Sequence, residues 1–285
     1  MKLKELIATC LIIGSIFQVN TICAQELQNK GKLFIIGGGS RSSAMVDRII
    51  KESGIDKEGY GIILPMSSIE PDSAVYYAKK QFIEKGLKNI YGLNFVKNEV
   101  LTPSKLDSIK NAKLVYISGG DQSRFMDIVA GNDIEKAIRK SYKNGNMIAG
   151  TSAGAAVMSK NMITGDELKH PEYNSTFRTI EPDNLELKQG LGMLSDNIII
   201  DQHFVKRSRY NRLITAIIQF PEITGIGIDE STAILINGNT AEIIGDSQVI
   251  VLRNSNTSKK VHEDKLGAQG IQLDIYLPGE KFTLN

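Results

Sequence analysis

A serine within a glycine-flanked turn is the first residue in this sequence that could do chemistry. Residues 150–154 read Gly-Thr-Ser-Ala-Gly, a G-x-S-x-G spacing that follows the apolar run 147–149. Small residues at both ends permit a sharp turn from strand to helix that exposes the Ser152 hydroxyl. The N–H of Ala153 would then lie at a helix amino end, where it can donate to an oxyanion. A turn that merely packs against a neighbouring helix would show the same pattern.

A nucleophilic serine needs a base that works near neutral pH, and histidine is the usual one. The sequence has three histidines. His170 falls in a polar segment and His262 in a charged one, whereas His203 comes just after the apolar run 198–200. That position predicts the carboxyl end of a buried strand, at the same edge of the sheet as the serine. His203 is therefore the predicted base, with a purely structural histidine as the alternative.

The third group should be a carboxylate that fixes the imidazole tautomer. Residues 225–230 form another strand-like run, and it ends in the pair Asp229-Glu230. Because side chains alternate along a strand, Glu230 shares a face with Ile226 and Ile228, and Asp229 lies on the other. Glu230 is the predicted acid, with turn capping by either carboxylate as the alternative. The order Ser, His, carboxylate differs from that of α/β-hydrolases and argues against an ordinary lipase or esterase.

Glycines end two further apolar runs. Gly120 follows the run 114–117 and could donate its amide to an oxyanion, while Asp121 and Gln122 could present a carboxylate and an amide to a substrate. Residues 37–39 are all glycine. They are weak evidence for a phosphate site, because neither a Lys-Ser/Thr pair nor a G-x-G-x-x-G frame follows.

An arginine is predicted close to the base. Arg207 follows His203 by four residues, about one turn if a helix starts that early, and could hold a substrate carboxylate with two hydrogen bonds. A solvated helix start is the alternative. In that helix Arg209 and Arg212 are expected to point elsewhere.

Short apolar runs alternate with amphipathic stretches through the first half of the chain. The runs are continuous rather than alternating, which indicates strands buried on both faces. Strands that alternate with helices predict an α/β fold with a doubly wound, mostly parallel sheet and helices on both faces. The predicted strands are 33–36, 61–64, 89–95, 114–117 and 147–150, and the first two helices are 42–52 and 72–85.

The second half of the chain has a different pattern. Residues 161–190 form a polar insertion that is predicted to be surface loops over the functional edge of the sheet. Residues 232–236, 240–244 and 248–252 predict a C-terminal antiparallel extension of hairpins. No repeat or internal boundary is evident, so residues 25–285 are predicted to form a single domain.

Composition excludes several classes of protein. Of 285 residues, 41% are hydrophobic and 23% are charged, which excludes a wholly disordered or fibrous chain. There are 34 basic and 32 acidic residues. Such a balanced charge gives no overall field to attract nucleic acid or an anionic membrane.

Residues 1–24 are predicted to be a cleaved export signal. Lys2 and Lys4 precede the largely apolar run 6–17, and the Ile-Cys-Ala of residues 22–24 resembles a cleavage site. The run is shorter than the roughly 20 residues of a spanning helix, so no stable membrane insertion is expected; a retained anchor is the alternative. Cleavage would remove both cysteines, and with them disulfides, thiol nucleophiles and Cys-ligated zinc. The predicted location is the periplasm or the cell exterior.

These motifs together resemble those of cyanophycinases. The resemblance spans about residues 32–250. The Asp-Gln-His-Phe block is its specific part, since the serine pentad also occurs in related aspartyl dipeptidases. The matching stretches are Gly119-Gly120-Asp121-Gln122, Gly150-Thr151-Ser152-Ala153-Gly154-Ala155, Asp201-Gln202-His203-Phe204 with Arg207, Arg209, Arg212 and Leu213, and Gly227-Ile228-Asp229-Glu230.

The resemblance implies a class I glutamine-amidotransferase-like fold with a serine nucleophile. It implies hydrolysis of cyanophycin, a poly-aspartate that carries arginine on each β-carboxyl, to β-Asp-Arg dipeptides without metal or organic cofactor. It also implies a homodimer. The family's nucleophile, base and acid fall on Ser152, His203 and Glu230, and its substrate-contacting residues on Gln122, Arg207, Asp201 and Gln202. Asp121 and Asp201 are the candidates to bind the substrate's arginine.

Two features depart from the family pattern. An export signal implies that polymer is scavenged outside the cytoplasm, and the insertion 161–190 could reshape the substrate groove. Two other functions stay open. One is an exported serine dipeptidase for short Asp-containing or isoaspartyl peptides, and the other is a non-catalytic periplasmic peptide-binding protein.

Overall fold

The computed structural model describes residues 31–172 and 174–284. The export signal predicted over residues 1–24 lies outside these residues. Sixteen strands are described: β1 Leu33–Ile36, β2 Gly61–Leu64, β3 Ile90–Gly92, β4 Leu114–Ile117, β5 Met147–Thr151, β6 Asn161–Glu167, β7 Leu185–Gln189, β8 Ile198–Gln202, β9 Thr224–Ile228, β10 Thr232–Asn237, β11 Thr240–Gly245, β12 Val249–Arg253, β13 Lys260–His262, β14 Lys265–Gly267, β15 Gln272–Tyr276 and β16 Lys281–Thr283. The helices are α1 Ser43–Ser53, α2 Pro71–Ile83, α3 Pro103–Lys110, α4 Gln122–Val129, α5 Asp133–Lys143, α6 Ala153–Ala156 and α7 Tyr210–Gln219.

The larger sheet has eight strands in the order β16-β11-β10-β1-β5-β4-β2-β3. The five strands from β1 to β3 in this order are mutually parallel, and β10, β11 and β16 extend the sheet antiparallel beyond β1. Continuous apolar runs form these strands because both faces of the sheet are covered. The predicted doubly wound, mostly parallel sheet is confirmed.

Helices cover both faces of this sheet. Residues of α1 and α2 pack with one set of alternate strand side chains, and residues of α3 to α6 pack with the other set. Helix α1 shows how the sequence sets its bounds. The Ser42 hydroxyl accepts from the N–H of Met45 at the start, and Gly54 ends the helix in the left-handed conformation with φ 69°.

A second sheet of four strands has the order β15-β12-β9-β8. Its strands β8 and β9 are parallel, while β12 pairs antiparallel with β9 and β15. The predicted C-terminal antiparallel extension is confirmed, but residues 248–252 pair with β9 and β15 and do not form a hairpin with β11. The physical reason is that β12 is apolar on both faces. Val249 and Val251 pack toward the larger sheet, and Ile250 and Leu252 pack against α7.

Two other expectations need correction. The predicted third strand, 89–95, shortens to β3, which pairs with β2 at the sheet edge over three residues. The insertion 161–190 contains a hairpin of β6 and β7 and buries Phe177, so it is not made of surface loops alone. In the described part of the chain no helix is long and apolar enough to cross a membrane.

Candidate active site

Ser152 lies in a strained turn between β5 and α6. Its φ is 52° and its ψ is −111°, a conformation that non-glycine residues rarely adopt. Small neighbours permit the turn. A Cβ on Gly150 would come within 2.2 Å of the Gly154 carbonyl oxygen, and one on Gly154 within 2.3 Å of the Ile117 carbonyl oxygen. The serine is thus held in the sharp strand-to-helix turn that its motif predicts.

Ser152, His203 and Glu230 form a continuous row of hydrogen bonds. The Ser152 Oγ lies 2.8 Å from His203 Nε2, and His203 Nδ1 lies 2.6 Å from Glu230 Oε1. With the proton on Nδ1 donated to the carboxylate, Nε2 is free to accept the serine proton. This is the geometry that general-base activation of a serine requires.

The surroundings favour a neutral imidazole. Burial is the largest cause that lowers the pKa of His203, and the charges of Arg207 and Arg209 lower it further. The hydrogen bond and charge of Glu230 act in the opposite direction without reversing the shift. The base is therefore unprotonated at neutral pH, ready to accept a proton.

The glycines 37–39 join the two sheets at this row. The N–H of Ser152 donates to the Ile36 carbonyl at 3.0 Å, and the N–H of His203 donates to the Gly37 carbonyl at 2.7 Å. A Cβ on Gly38 would lie 2.3 Å from His203 Cε1, and one on Gly39 would lie 2.8 Å from Glu230 Cβ. Any side chain at these two positions would collide with His203 or Glu230. Sequence reasoning noticed the glycines but missed this packing role.

Both predicted oxyanion donors lie beside the serine. Ala153 begins α6, so its N–H is among the first of the helix, which have no partner within it. On the other side, a Cβ on Gly119 would lie 3.9 Å from the Ser152 Oγ. The adjacent Gly120, with φ 138°, lines the same cavity as the serine. Amides on both sides of the hydroxyl are available to an oxyanion.

A cavity of about 270 Å³ adjoins Ser152 on one side, and we call it the arginine cavity. Arg207, Arg209 and Arg212 all line it. The expectation that the last two point elsewhere is wrong. Helix α7 begins at Tyr210 instead of near Arg207, which rotates every later side chain about the helix axis. The arginine cavity is lined by Gly120, Asp121, Gln122, Ser123, Ser152, Thr164, Asp166, Gln202, Arg207, Arg209 and Arg212.

Asp201 serves a different purpose from the one predicted. Its carboxylate is fully buried and forms a two-point ion pair with Arg212, whose Nε lies 2.7 Å from Oδ2. Oδ1 also accepts from the N–H of Gln202. The prediction that Asp201 binds substrate is corrected on this ground. Its carboxylate instead positions the Arg212 guanidinium in the cavity wall.

The other predicted substrate residues do line the arginine cavity. Gln202 Oε1 accepts from Arg209 at 2.5 Å, and Gln122 Nε2 donates to the carbonyls of residues 163 and 164 on β6. Asp121 caps α4 through its Oδ1. The insertion supplies an exposed carboxylate, Asp166, that sequence reasoning missed. Its only signal was the position of the insertion between nucleophile and base.

The remaining candidates lie away from this row. His170 pairs with Glu181 at 2.9 Å, and His262 is exposed on β13. Asp229 accepts from the N–H of Lys206 and the hydroxyl of Ser247, which is the capping role left open for one member of the acidic pair.

Across residues 31–172 and 174–284, no group of three or more His, Cys, Asp or Glu side chains could hold a metal ion.

An α/β fold that brings a strained serine, a neutral histidine and a glutamate into one hydrogen-bonded row defines a serine hydrolase. Residues 33–244 match peptidase family S51, and the chain belongs to this family. It is accordingly a serine peptidase.

Several curated proteins are similar to it. A cyanophycinase from Nostoc sp. is 28% identical over 266 residues, 90% of this chain and 86% of that protein. A cyanophycinase from Geminocystis herdmanii is 31% identical over 230 residues, 78% of this chain and 81% of that protein. A peptidase E from Nostoc sp. is 24% identical over 221 residues, 75% of this chain and 84% of that protein.

Solved structures share the fold. A peptidase from an acI-B1 Actinobacterium has a TM-score of 0.64 at 20% identity and covers 91% of this chain and 99% of its own. A peptidase E protein from Listeria monocytogenes has a TM-score of 0.55 at 16% identity and covers 76% of this chain and all of its own.

Proposed function

We propose that this protein is an exported exopeptidase that hydrolyses the aspartyl backbone of cyanophycin to β-Asp-Arg dipeptides. The observation that carries the proposal is the arginine cavity beside Ser152, with the exposed carboxylates of Asp121 and Asp166 among its lining. Similarity to cyanophycinases supports the same substrate.

The charges of the cavity complement one residue of the polymer. The arginine on each β-carboxyl retains its own α-carboxylate and its guanidinium. Arg207, which is half-buried beside the base, is placed to bind that carboxylate, with Arg209 and Arg212 held behind it. Asp166 and Asp121 then accept the guanidinium. This gives Asp166 the role predicted for Asp201.

The reaction is a two-step acyl transfer. The Ser152 Oγ attacks the main-chain carbonyl carbon of an aspartyl residue, and its proton passes to His203 Nε2 as the O–C bond forms. The C–N bond then breaks, and the same proton moves to the leaving amine. Water, deprotonated by His203, hydrolyses the acyl-enzyme and restores the serine. The amides near Ala153 and Gly120 stabilise the oxyanion, each worth roughly 3 kcal/mol.

The direct test is to incubate purified protein with cyanophycin and to identify the released fragments by mass spectrometry. β-Asp-Arg is expected from the native protein and not from Ser152→Ala. Similarity to a peptidase E favours a second candidate, an aspartyl dipeptidase. Efficient cleavage of Asp-X dipeptides with no release from the polymer would select that candidate. Binding of polymer without any turnover would instead identify a peptide-binding protein.

Export and assembly are separate parts of the proposal. Protein recovered from the periplasm or the medium should begin at Gln25, because residues 1–24 are the proposed signal. Amino-terminal sequencing tests this, and an intact Met1 on membrane-bound protein would indicate an anchor. The proposed homodimer should appear as a mass of twice the mature chain in light scattering.

A further inference from the structure

A second cavity, of about 290 Å³, also adjoins Ser152, and we call it the Arg41 cavity. Its wall includes Gly38, Arg41, Tyr77, Tyr116 and His203. None of its lining residues is an aspartate or a glutamate. It therefore presents one guanidinium among mostly neutral groups, whereas the arginine cavity mixes cations with carboxylates.

The position of the base assigns the two cavities to the two halves of a substrate. His203 lines the Arg41 cavity and not the arginine cavity, while Ser152 lines both. The imidazole that removes the serine proton must return it to the leaving amine, so that amine has to lie within hydrogen-bond reach of His203. The leaving fragment consequently occupies the Arg41 cavity, and the acyl half occupies the arginine cavity.

Arg41 is oriented without being neutralised. Its Nε donates to Gln81 Oε1 at 2.6 Å, and its Nη1 lies 3.5 Å from the Gly39 carbonyl oxygen. Within the residues that the structure describes, no carboxylate forms an ion pair with it. A guanidinium fixed by an uncharged amide retains its full charge and its remaining N–H groups for a ligand.

We propose that Arg41 binds the free α-carboxylate of the leaving fragment and so directs cleavage to the carboxyl end of the polymer. The inference deepens the proposed function and rests on it. The fragment released from that end is a single β-Asp-Arg unit. Its main-chain α-carboxylate is free because this unit is the last one of the polymer. Burial raises the pKa of Tyr116, so its hydroxyl stays neutral and adds no negative charge to oppose the carboxylate. The exposed Tyr77 ring, which also lines the cavity, is available to the unit's guanidinium.

The test compares two synthetic substrates of two β-Asp-Arg units that differ at one group. One ends in the free main-chain α-carboxylate and the other in the α-carboxamide, while both retain the arginine carboxylates. The native protein should cleave the acid with a kcat/KM at least about tenfold above that of the amide. Arg41→Gln should lower kcat/KM for the acid to that of the amide and leave the amide unchanged.

Two further variants separate recognition from folding. Gln81→Glu keeps the guanidinium but places a carboxylate against its Nε, so it should also reduce the acid preference. Arg253→Gln, which removes a guanidinium from β12 and its pair with Asp274, should leave the preference intact. An equal loss on both substrates in Arg41→Gln would show a structural role and overturn the inference. Equal rates on the acid and the amide in the native protein would overturn the inference on Arg41 and leave the proposed function standing. No turnover of either substrate would overturn both the inference and the proposed function.

Discussion

The two sheets contribute to the active site in different ways. The larger sheet supplies the nucleophile from the end of β5, and the turn that holds Ser152 is set by residues next to it in the chain. The second sheet supplies His203 and Glu230 from the ends of the parallel pair β8 and β9. These two side chains pack against Gly38 and Gly39, which follow β1 of the larger sheet. One half of the site is therefore locally determined, and the other depends on how the sheets pack together.

The largest loss of activity should come from a change in the locally determined half of the site. Ser152→Ala removes the nucleophile and should lower kcat by about 10⁴ to 10⁶-fold. The free energy of unfolding should change by no more than about 1 kcal/mol, because alanine removes a half-buried hydroxyl whose hydrogen bond is to His203. Steady-state kinetics with urea denaturation measure both quantities. Ser104→Ala, at an exposed position on α3, is the control; comparable turnover in the two variants would contradict the assignment.

Glu230→Gln tests the half that comes from the second sheet. Loss of the carboxylate removes what holds the imidazole tautomer and should lower kcat by about 10³ to 10⁴-fold. The hydrogen bond and charge of Glu230 raise the pKa of His203, so their removal should shift the acidic limb of kcat/KM to lower pH. In the native enzyme that limb should already lie below pH 6.5. A limb that moves to higher pH in the variant would exclude Glu230 as the imidazole's partner.

The anchoring of the second sheet can be tested away from the triad. Asp201→Asn leaves the Arg212 guanidinium buried without its anion and should reduce the free energy of unfolding by about 3 to 5 kcal/mol. Asp274→Asn breaks the partly exposed pair with Arg253 and should cost less than about 1 kcal/mol. Urea denaturation of the two variants gives the comparison. Similar losses would mean that the buried pair is not what holds β8 to α7.

A change at the contact between the sheets should cause the smallest loss of kcat. Gly38→Ala places a Cβ against His203, which must move, so kcat should fall by about 100-fold. The backbone cost of a positive φ is about 1 to 2 kcal/mol. Gly54→Ala has a positive φ as well but meets open space, so it should lose stability without losing kcat. Equal kcat in the two variants would show that the glycine contact does not place the imidazole.

The residues of both halves could be predicted from the sequence. The parallel core, the serine turn and the choice of His203 and Glu230 as partners follow from local patterns of apolar runs and their end residues. The separation of β8 and β9 into a second sheet could not be predicted in this way. Strands buried on both faces look alike whether they extend one sheet or form another.

The side-chain directions near the start of α7 also could not be predicted from the sequence. The chain from His203 to Arg209 makes turns before α7 begins, so helical spacing counted from the histidine misplaces Arg209 and Arg212. Asp201 was misassigned for a related reason. It was predicted to bind substrate because it matches a substrate-contacting position of the family and because the substrate's arginine needs an acidic partner. Only the position of Arg212 reveals the buried ion pair.

The end of β1 has a consequence for how the enzyme tolerates thermal motion. Two consecutive carbonyls, those of Ile36 and Gly37, hold the main chains of Ser152 and His203. When the end of β1 shifts, the main chains of Ser152 and His203 move with two adjacent peptide groups, and the distance between hydroxyl and imidazole changes little. The reacting atoms in this way stay in register while the sheets around them fluctuate.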